Sequence, residues 1–248
     1  MITCRYHFEE IDSTNKKAKE LGQAGSPHGT LVTADTQVSG VGRRGRSWSS
    51  EKDAGIYMSI LLRPDISTDK ASMLTLVAAM AVEKALLNLN LQPKIKWPND
   101  IVLNKKKICG ILTEMSLKGT QIDFVVLGIG INVNNKEFPE EIKETASSLF
   151  LETGKDIDRE KLVTEVWNQF TIYYEWFLST KDLSLLKEEY ERALINIDEE
   201  VKVLDPKGEY IGIAKGITNA GELVVNREGV PTLVSSGEVS VRGIYGYV

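Results

Sequence analysis

The chain has 248 residues and a formal net charge of −5, and it is 42% hydrophobic and 26% charged. These values are typical of a soluble globular protein and give the whole chain no attraction to nucleic acid. Two cysteines, Cys4 and Cys109, are too few for a disulfide framework. Two histidines, His7 and His28, argue against a multi-histidine metal site and a Ser-His-Asp hydrolase. The polar N-terminus and the lack of an apolar run of roughly 18 residues predict a cytoplasmic protein without a membrane span.

Helices and strands are both predicted in residues 1–196, from apolar periodicity and turn residues. The predicted helices cover 13–24, 69–90, 158–178 and 183–194, and the predicted strands cover 30–35, 55–62, 95–97, 101–103, 108–117 and 123–133. The last two strands should form a hairpin with its turn at Lys118-Gly119-Thr120. This mixture indicates an α+β domain.

The pattern changes near residue 197, where short strands follow one another between glycines. These strands are predicted at 199–205, 209–217, 222–227 and 232–242, with turn pairs Lys207-Gly208 and Glu228-Gly229. Short strands at this spacing indicate a small β-barrel or sandwich. We therefore predict an α+β domain over 1–196 and a small all-β domain over 197–248.

The segment SGVGRRGRSW, residues 39–48, is the most unusual part of the sequence. Its glycines have the G-x-G-x-x-G spacing of a dinucleotide-binding loop, which requires a helix directly after the loop to bind the pyrophosphate. Gly45 is followed instead by polar residues and then by the predicted strand 55–62. The sequence context therefore argues against a dinucleotide site.

Three other interpretations of the 39–48 loop remain. Its arginines and Trp48 could form a nucleic-acid patch with a stacking ring, although three arginines on an acidic chain support this weakly. The loop could also be a flexible, solvated connection. In the third interpretation, glycine N–H groups and arginines bind a carboxylate or phosphate, while Trp48 covers an apolar ligand face. A disordered loop of this kind would close over a small, partly apolar acid and a nucleotide phosphate.

Four further segments place polar residues beside strands or turns: DSTN (12–15), KWPND (96–100), KKKICG (105–110) and GIGINVN (128–134). Each has a purely structural interpretation: a helix cap, an Asx turn, a hairpin with solvated lysines and a β-bulge, respectively. Each could also line a ligand. Lys107 can point inward from its strand, and glycine inside a strand often marks the close approach of a ligand or another backbone.

Together and in this order, these motifs resemble the biotin protein ligase family over almost the whole chain, including the C-terminal segment GEVSVRG (237–243). The family's loop pattern is G-R-G-R-x-G-R followed by tryptophan. This sequence reads GVGRRGR at 40–46, with Trp48 after one serine, so Val41 replaces an arginine. In the family that position touches biotin largely through its backbone, so we expect valine to serve, without any side-chain role of the arginine.

The resemblance implies a central mixed β-sheet flanked by helices, followed by a small SH3-like β-barrel. It implies an enzyme that activates biotin with ATP and Mg²⁺ to biotinyl-5′-AMP, releases pyrophosphate, and transfers biotin to a lysine of a biotin carboxyl carrier protein or domain of a carboxylase. ATP and biotin are then substrates, Mg²⁺ comes with ATP rather than from a dedicated protein site, and no prosthetic group is expected.

The resemblance also bears on partners. Some members carry an N-terminal helix-turn-helix that represses biotin genes, but the DSTN motif begins here at residue 12. We therefore expect no nucleic-acid binding and no repressor activity. The family often dimerises through its central sheet, so a homodimer is expected, in the cytoplasm and away from membranes.

The family's site residues can be assigned position by position. The positions implied for biotin are Ser13, Thr14, Asn15, Gln37, Val41, Gly42, Arg43 and Lys107. The positions implied for ATP and the adenylate are Arg46, Trp48, Lys96, Asn99, Gly110 and Asn132. The catalytic candidates are Arg43, Lys107 and Asp100. Asp100 is our candidate for orienting the incoming lysine amine or accepting its proton.

The sequence also allows two rival functions. A lipoate ligase or octanoyl transferase has the same fold, but these enzymes lack the arginine-rich loop, and the transferase needs a cysteine nucleophile, whereas Cys109 lies in an apolar strand. A non-enzymatic module that binds biotin or nucleic acid through the same loop is the second rival, and it would form no AMP.

Overall fold

The structure is a computed structural model that describes residues 3–205, 208–237, 240–243 and 247–248. Its larger sheet has seven strands: β1 (Cys4–Ile11), β2 (Thr30–Gln37), β3 (Gly55–Leu62), β4 (Lys94–Lys96), β5 (Asp100–Leu103), β6 (Lys106–Lys118) and β7 (Gln121–Asn132). Their spatial order is β1-β2-β3-β7-β6-β5-β4. Only β1 and β2 pair in parallel, and the other neighbours are antiparallel, so the sheet is mixed.

Within the described ranges, five α-helices accompany this sheet: α1 (Thr14–Gln23), α2 (Met73–Leu87), α3 (Leu149–Thr153), α4 (Arg159–Thr180) and α5 (Lys187–Ala193). Helix α1 begins where the Ser13 side chain accepts a hydrogen bond from the Lys16 backbone N–H, which is the predicted cap. Helix α4 begins in the same way at Asp158.

Alternation along β3 divides the apolar core between the two faces of the sheet. Ile60 belongs to the large core that includes α2, α4 and α5, whereas its neighbour Leu61 packs with Ala18 of α1 and Phe124 of β7. Helix α2 is apolar on almost its entire circumference because it is buried between the sheet and other helices. Helix α1 therefore covers one face of the sheet, and α2 covers the other.

The predicted α+β fold is confirmed, with a few local differences. The helix predicted at 69–90 is shorter, because a separate 3-10 turn at Thr68–Lys70 precedes α2 and α2 ends at Leu87. Strand β1 was not predicted, since its exposed edge position leaves no apolar alternation to detect. The five-residue helix α3 is too short to produce a periodic pattern.

The C-terminal part forms a second sheet of five antiparallel strands. These are β8 (Glu200–Leu204), β9 (Tyr210–Ile217), β10 (Leu223–Arg227), β11 (Val230–Val234) and β12 (Ser240–Gly243), in the order β11-β10-β9-β8-β12. The single strand predicted at 232–242 is therefore two strands. The Glu228-Gly229 turn is confirmed by positive φ angles at both residues, and Lys207 of the other predicted turn pair lies outside the described residues.

The two sheets share one apolar core. Val203 and Val225 of the second sheet belong to the same buried cluster as α2 and α5. The indole N–H of Trp97, from the KWPND segment, donates to the Gly221 carbonyl at 3.0 Å. No helix among the described residues is long and apolar enough to cross a membrane.

Glu83 of α2 is a buried carboxyl that is not among the predicted site residues. Burial and the nearby Glu189 carboxylate raise its pKa from 4.5 to about 7, against the opposing effect of Lys84 and Lys94. Because the raised pKa favours the protonated carboxyl, this group stabilises the fold at low pH. That contribution is lost as the pH rises from 4.5 through 7.

We expect Glu83→Gln to raise the free energy of unfolding at pH 8 by about 2–3 kcal/mol, since each pKa unit corresponds to about 1.4 kcal/mol. The gain should vanish near pH 4.5. Urea unfolding at a series of pH values measures both, with the exposed Glu175→Gln of α4 as the matched control. The prediction would be wrong if the Glu83→Gln variant and the wild type had the same free energy of unfolding at pH 8.

Candidate active site

Glycines on two neighbouring strands open a groove across the α1 side of the large sheet. In the register, Gly110 of β6 lies opposite Gly130 of β7, which lies opposite Tyr57 of β3. Residues directly opposite in antiparallel strands project from the same face. These opposed residues form a row across the sheet, and the two glycines leave a gap without side chains in it. Tyr57 flanks the gap on one side, and Asp100 of β5, which lies opposite Gly110, flanks it on the other.

The Trp48 indole lies in this gap. A Cβ atom at Gly130 would be 2.6 Å from Trp48 Cε2, and one at Gly110 would be 2.8 Å from Trp48 Cζ3. The strand pairing is regular at Gly128 and Gly130, so the β-bulge interpretation of GIGINVN is wrong. These glycines instead permit the close approach that the sequence indicated. The approaching groups are side chains of the protein itself, since Asn15 covers Gly128 in the same way.

The 39–48 loop is folded on itself rather than disordered. Val41 and Ser47 form an antiparallel bridge, the Gly42 N–H donates to the Arg46 carbonyl at 2.7 Å, and the Trp48 N–H donates to the Gly40 carbonyl at 2.8 Å. A 3-10 turn is the only helical feature of this loop, and no helix of the described chain follows it before β3. The argument against a dinucleotide loop is thus confirmed.

Every predicted site residue lines one of two adjoining pockets. The inner pocket, of about 50 Å³, is lined by the predicted residues Ser13, Thr14, Asn15, Gln37, Val41 and Gly110. The outer pocket, of about 260 Å³, is lined by the predicted residues Arg46, Lys96, Asp100 and Asn132. Both pockets are lined by Gly42, Arg43, Trp48, Asn99 and Lys107.

The far end of the inner pocket is a buried polar network. The Gln37 side-chain oxygen accepts from the Thr14 N–H at 2.9 Å. The Ser59 hydroxyl lies 2.8 Å from Thr14 Oγ1 and 2.6 Å from Asn15 Oδ1. The Asn15 amide donates to Glu114 Oε2 at 2.8 Å. This network fixes several donors and acceptors at the end of the narrow inner pocket.

Asp100 and Lys107 form an ion pair at the junction of the pockets, with 2.7 Å between Lys107 Nζ and Asp100 Oδ1. Burial alone would raise the pKa of Asp100. The charges of Lys107 and Lys96, with hydrogen bonds from Lys107 and Tyr247, outweigh burial and hold that pKa below its usual range. Asp100 is therefore ionised at neutral pH, and Lys107 is held inward as predicted.

The outer pocket is strongly basic. Burial lowers the pKa of Lys96 to about 8, although the Asp100 carboxylate opposes the shift. The Arg43 guanidinium donates to Asn99 Oδ1 at 2.8 Å and to the carbonyls of Ser236 and Gly237 at 2.7 and 2.8 Å, so it joins the loop to the second sheet. Such a concentration of cations on a net acidic chain suits a polyanionic ligand.

Asn99 and Asn132 use their amides for structure as well as for lining the pocket. The Asn99 amide donates to Asp100 Oδ1 at 3.0 Å and to the Ile111 carbonyl at 3.3 Å, instead of closing an Asx turn. The Asn132 amide donates to the Ser147 carbonyl at 3.0 Å. These hydrogen bonds hold each side chain in place beside the outer pocket.

Sequence reasoning missed several groups that line or support the pockets. Ser59 and Glu114 lie inside strands, where a single polar residue gives no motif. Phe138 and Ile142, which form an apolar wall of the outer pocket, come from an irregular segment after β7. Tyr247 enters the outer pocket from the C-terminus. The part of the chain that the structure describes contains no group of three side chains suited to hold a metal ion.

Comparisons with known proteins agree with this architecture. The model of the Biotin/lipoate A/B protein ligase family matches residues 7–132, and that of the Biotin protein ligase C terminal domain matches residues 197–242. The chain is similar to the bifunctional ligase/repressor BirA of Bacillus spizizenii, with 39% identity over 91% of this chain and 70% of that protein.

Two further relatives are similar along most of their length. The biotin–[acetyl-CoA-carboxylase] ligase of Mycobacterium tuberculosis is 31% identical over 93% of this chain and 86% of that protein. The structure of the biotin protein ligase from Aquifex aeolicus, in complex with biotin and ATP, superposes with a TM-score of 0.86 at 33% identity, covering 97% of this chain and 99% of that one. The chain therefore belongs to the biotin/lipoate A/B protein ligase family, and within it to the biotin protein ligases, which are enzymes.

Proposed function

We propose that the protein activates biotin with MgATP to biotinyl-5′-AMP, releasing pyrophosphate, and then transfers biotin to a lysine of a biotin carboxyl carrier protein. One observation carries the proposal. A narrow slot that ends in a fixed polar network opens, at Lys107, into a basic pocket. A bicyclic ring with a carboxylate tail suits the slot once the Trp48 indole leaves the gap, and a nucleotide triphosphate suits the pocket. The acid and the α-phosphorus then meet beside Lys107.

The first step needs charge and position rather than a base. A biotin carboxylate is already ionised near pH 7, and its oxygen attacks the α-phosphorus as pyrophosphate leaves. Negative charge spreads over the phosphoryl oxygens, where the cations Lys107, Arg43 and Arg46 can stabilise it. This chemistry accounts for an active site without a histidine. Because an acyl-adenylate hydrolyses readily, the folded loop would also serve to exclude water.

We assign the ligands along this path. The biotin ring lies against Ser13, Thr14, Asn15 and Gln37, and the backbone of 41–43, together with Lys107, binds the carboxylate. The nucleotide is bound by Arg46, Trp48, Lys96, Asn99, Gly110 and Asn132. Mg²⁺ enters with ATP.

In the second step the amine of the acceptor lysine attacks the biotinyl carbonyl carbon. The new C–N bond forms, the C–O bond to phosphate breaks, AMP leaves and the amine proton passes to water. Asp100 is ionised and faces this junction. A carboxylate with a lowered pKa is a weak base, so we assign Asp100 to orienting the amine through a hydrogen bond.

The direct test is to incubate the protein with ATP, labelled biotin and a carboxyl carrier domain, and to follow label on the carrier lysine. Lipoate in place of biotin tests the nearest rival, and ATP–pyrophosphate exchange tests for a module that only binds. We expect ATP–pyrophosphate exchange and label transfer with biotin and neither reaction with lipoate. The buried Cys109, whose thiol pKa is raised by burial, already disfavours a cysteine-dependent transferase.

The inner pocket is too small for its ligand while Trp48 lies in the gap, since ligand sites typically hold about 300–1,000 Å³. We therefore expect biotin and ATP to move the indole and change its fluorescence. The change should disappear in Trp48→Phe and persist in the matched control Trp176→Phe, whose ring lies exposed on α4. An equal change in Trp48→Phe would show that another tryptophan gives the signal and would contradict the expected movement of the Trp48 indole.

Val41 is the loop's departure from the family pattern. Its side chain is 52% exposed, and its backbone is fixed by the bridge to Ser47. We expect Val41→Arg to change biotin affinity, measured by calorimetry, by less than about threefold, or about 0.7 kcal/mol. Val38→Arg, an exposed valine outside both pockets, is the control. A larger change would assign a function to the side chain at position 41.

The proposal extends to the assembly, the partners and the domain division of the protein. We propose a cytoplasmic homodimer without repressor activity, in which residues 1–196 and 197–248 are separate domains. The separate second sheet supports the division, although both parts share one core. The net charge of −5 supports the absence of nucleic-acid binding. Sedimentation, a DNA mobility assay and limited proteolysis test the three points.

A further inference from the structure

Tyr247, the second-to-last residue of the sequence, lines the outer pocket of the candidate active site. Its hydroxyl donates a hydrogen bond to Asp100 Oδ2. Its ring lies beneath Lys96, with 3.9 Å between Lys96 Nζ and the ring centroid. Tyr247 is more than 140 residues away from both in sequence, and no family motif quoted above includes it.

The Asp100 carboxylate depends on this contact for its second oxygen. Oδ1 is bound by Lys107 Nζ at 2.7 Å and by the Asn99 amide at 3.0 Å. Oδ2 is bound by Tyr247. With partners on both oxygens the carboxylate plane is fixed, whereas loss of the Tyr247 hydroxyl frees Oδ2 to turn toward the surrounding cations. Fixed orientation is what a group that positions a reactant requires.

The same tyrosine stabilises a buried cation. Lys96 is only 5% exposed, and an aromatic face within about 6 Å of an ammonium group stabilises its charge. Tyr247 itself remains a neutral donor at working pH, because burial and the Asp100 carboxylate raise its pKa. The charged groups that act on Asp100 and Tyr247 come from several elements and are Lys96, Lys107, Arg43, Arg46 and Arg242.

We propose that Tyr247 is a positioning residue for the transfer step: its hydroxyl fixes the Asp100 carboxylate that orients the acceptor lysine amine. This inference rests on the proposed function. It makes the C-terminal end of the chain a part of the active site, joined to the strand that carries Asp100. The effect should fall on the step that uses Asp100 and spare adenylation, in which Lys107 and the arginines act.

The test uses Tyr247→Phe, which removes the hydroxyl and keeps the ring over Lys96. We expect transfer from preformed biotinyl-adenylate to fall about tenfold, while biotin-dependent ATP–pyrophosphate exchange stays within about twofold. In an Asp100→Asn background the second substitution should add nothing, because both act through one carboxylate. Tyr210→Phe, in the second sheet and outside both pockets, is the matched control.

Three outcomes overturn the inference: transfer at the wild-type rate, equal losses in both steps, or a full additional loss in the Asp100→Asn background. A wild-type chain that forms no biotinyl-adenylate overturns the proposed function instead. Carboxyl ¹³C NMR then tests the contact by itself. Tyr247→Phe should raise the pKa of Asp100, since it removes a hydrogen bond to the charged form, and an unchanged titration would refute the inference.

Discussion

Replacing Lys107 with methionine should reduce the rate of biotinyl-adenylate formation by roughly 10²–10³-fold, the usual cost of losing one electrostatic group at a transition state. Lys107 is the cation at the junction of the two pockets, where the biotin carboxylate and the α-phosphate would meet. ATP–pyrophosphate exchange measures the step. Biotin binding should change much less, because the polar network at the far end of the inner pocket remains.

Lys106→Met is the matched control for this prediction. Lys106 is adjacent in β6 and projects from the opposite face, with its Nζ 3.5 Å from the Lys143 carbonyl. Its replacement removes the same charge and should leave the exchange rate near that of the wild type. Equal losses in the two variants would show that net charge, rather than the position of Lys107, supports the reaction.

Lys107→Met also leaves the buried Asp100 carboxylate without its nearest cation, which typically destabilises a protein by about 3–5 kcal/mol. The double variant Lys107→Met/Asp100→Asn removes both charges and should recover much of that stability. It should not recover adenylation. Thermal unfolding of the two variants, beside the exchange assay, therefore separates a loss of folding from a loss of catalysis.

The strands that form the site could be predicted because their signals are local. The buried strand at 55–62 was predicted with its observed bounds, since it is mostly apolar and is followed by turn residues. The polar edge strand β1 has no such signal, and its place follows from pairing with β2. Long-range pairing with β2 therefore makes this segment a strand, although its sequence pattern does not indicate one.

The candidate site shows the same division. The motifs identified residues that line both pockets through the family resemblance that they carry together, since each motif alone also has a purely structural interpretation. They did not show that Gly110 lies opposite Gly130, which depends on the register of β6 and β7. Nor could they place Tyr247 against Asp100, since that contact joins distant parts of the chain. The sequence thus predicted which residues line the site, but it did not predict the arrangement of those residues in space.

Replacing Asp100 with asparagine should slow transfer from preformed biotinyl-adenylate by about 100-fold, the size of loss that a misplaced reactant produces. Asparagine keeps the size of the side chain and one acceptor oxygen but loses the negative charge. The amine of the acceptor lysine then lacks the anion that orients it. Full transfer by this variant would remove Asp100 from the mechanism.

The pH dependence gives this prediction a second, independent measurement. The Asp100 carboxylate raises the pKa of Lys96, which burial lowers to about 8. Asp100→Asn should therefore lower it further, so that Lys96 loses its proton within the neutral range. Since a neutral Lys96 binds phosphate less well, the Michaelis constant for ATP should rise between pH 7 and 8 in the variant more than in the wild type. Asp65→Asn, a fully exposed carboxylate, should reproduce neither effect. A pH profile for Asp100→Asn that matches the wild type would show that the two buried charges act independently.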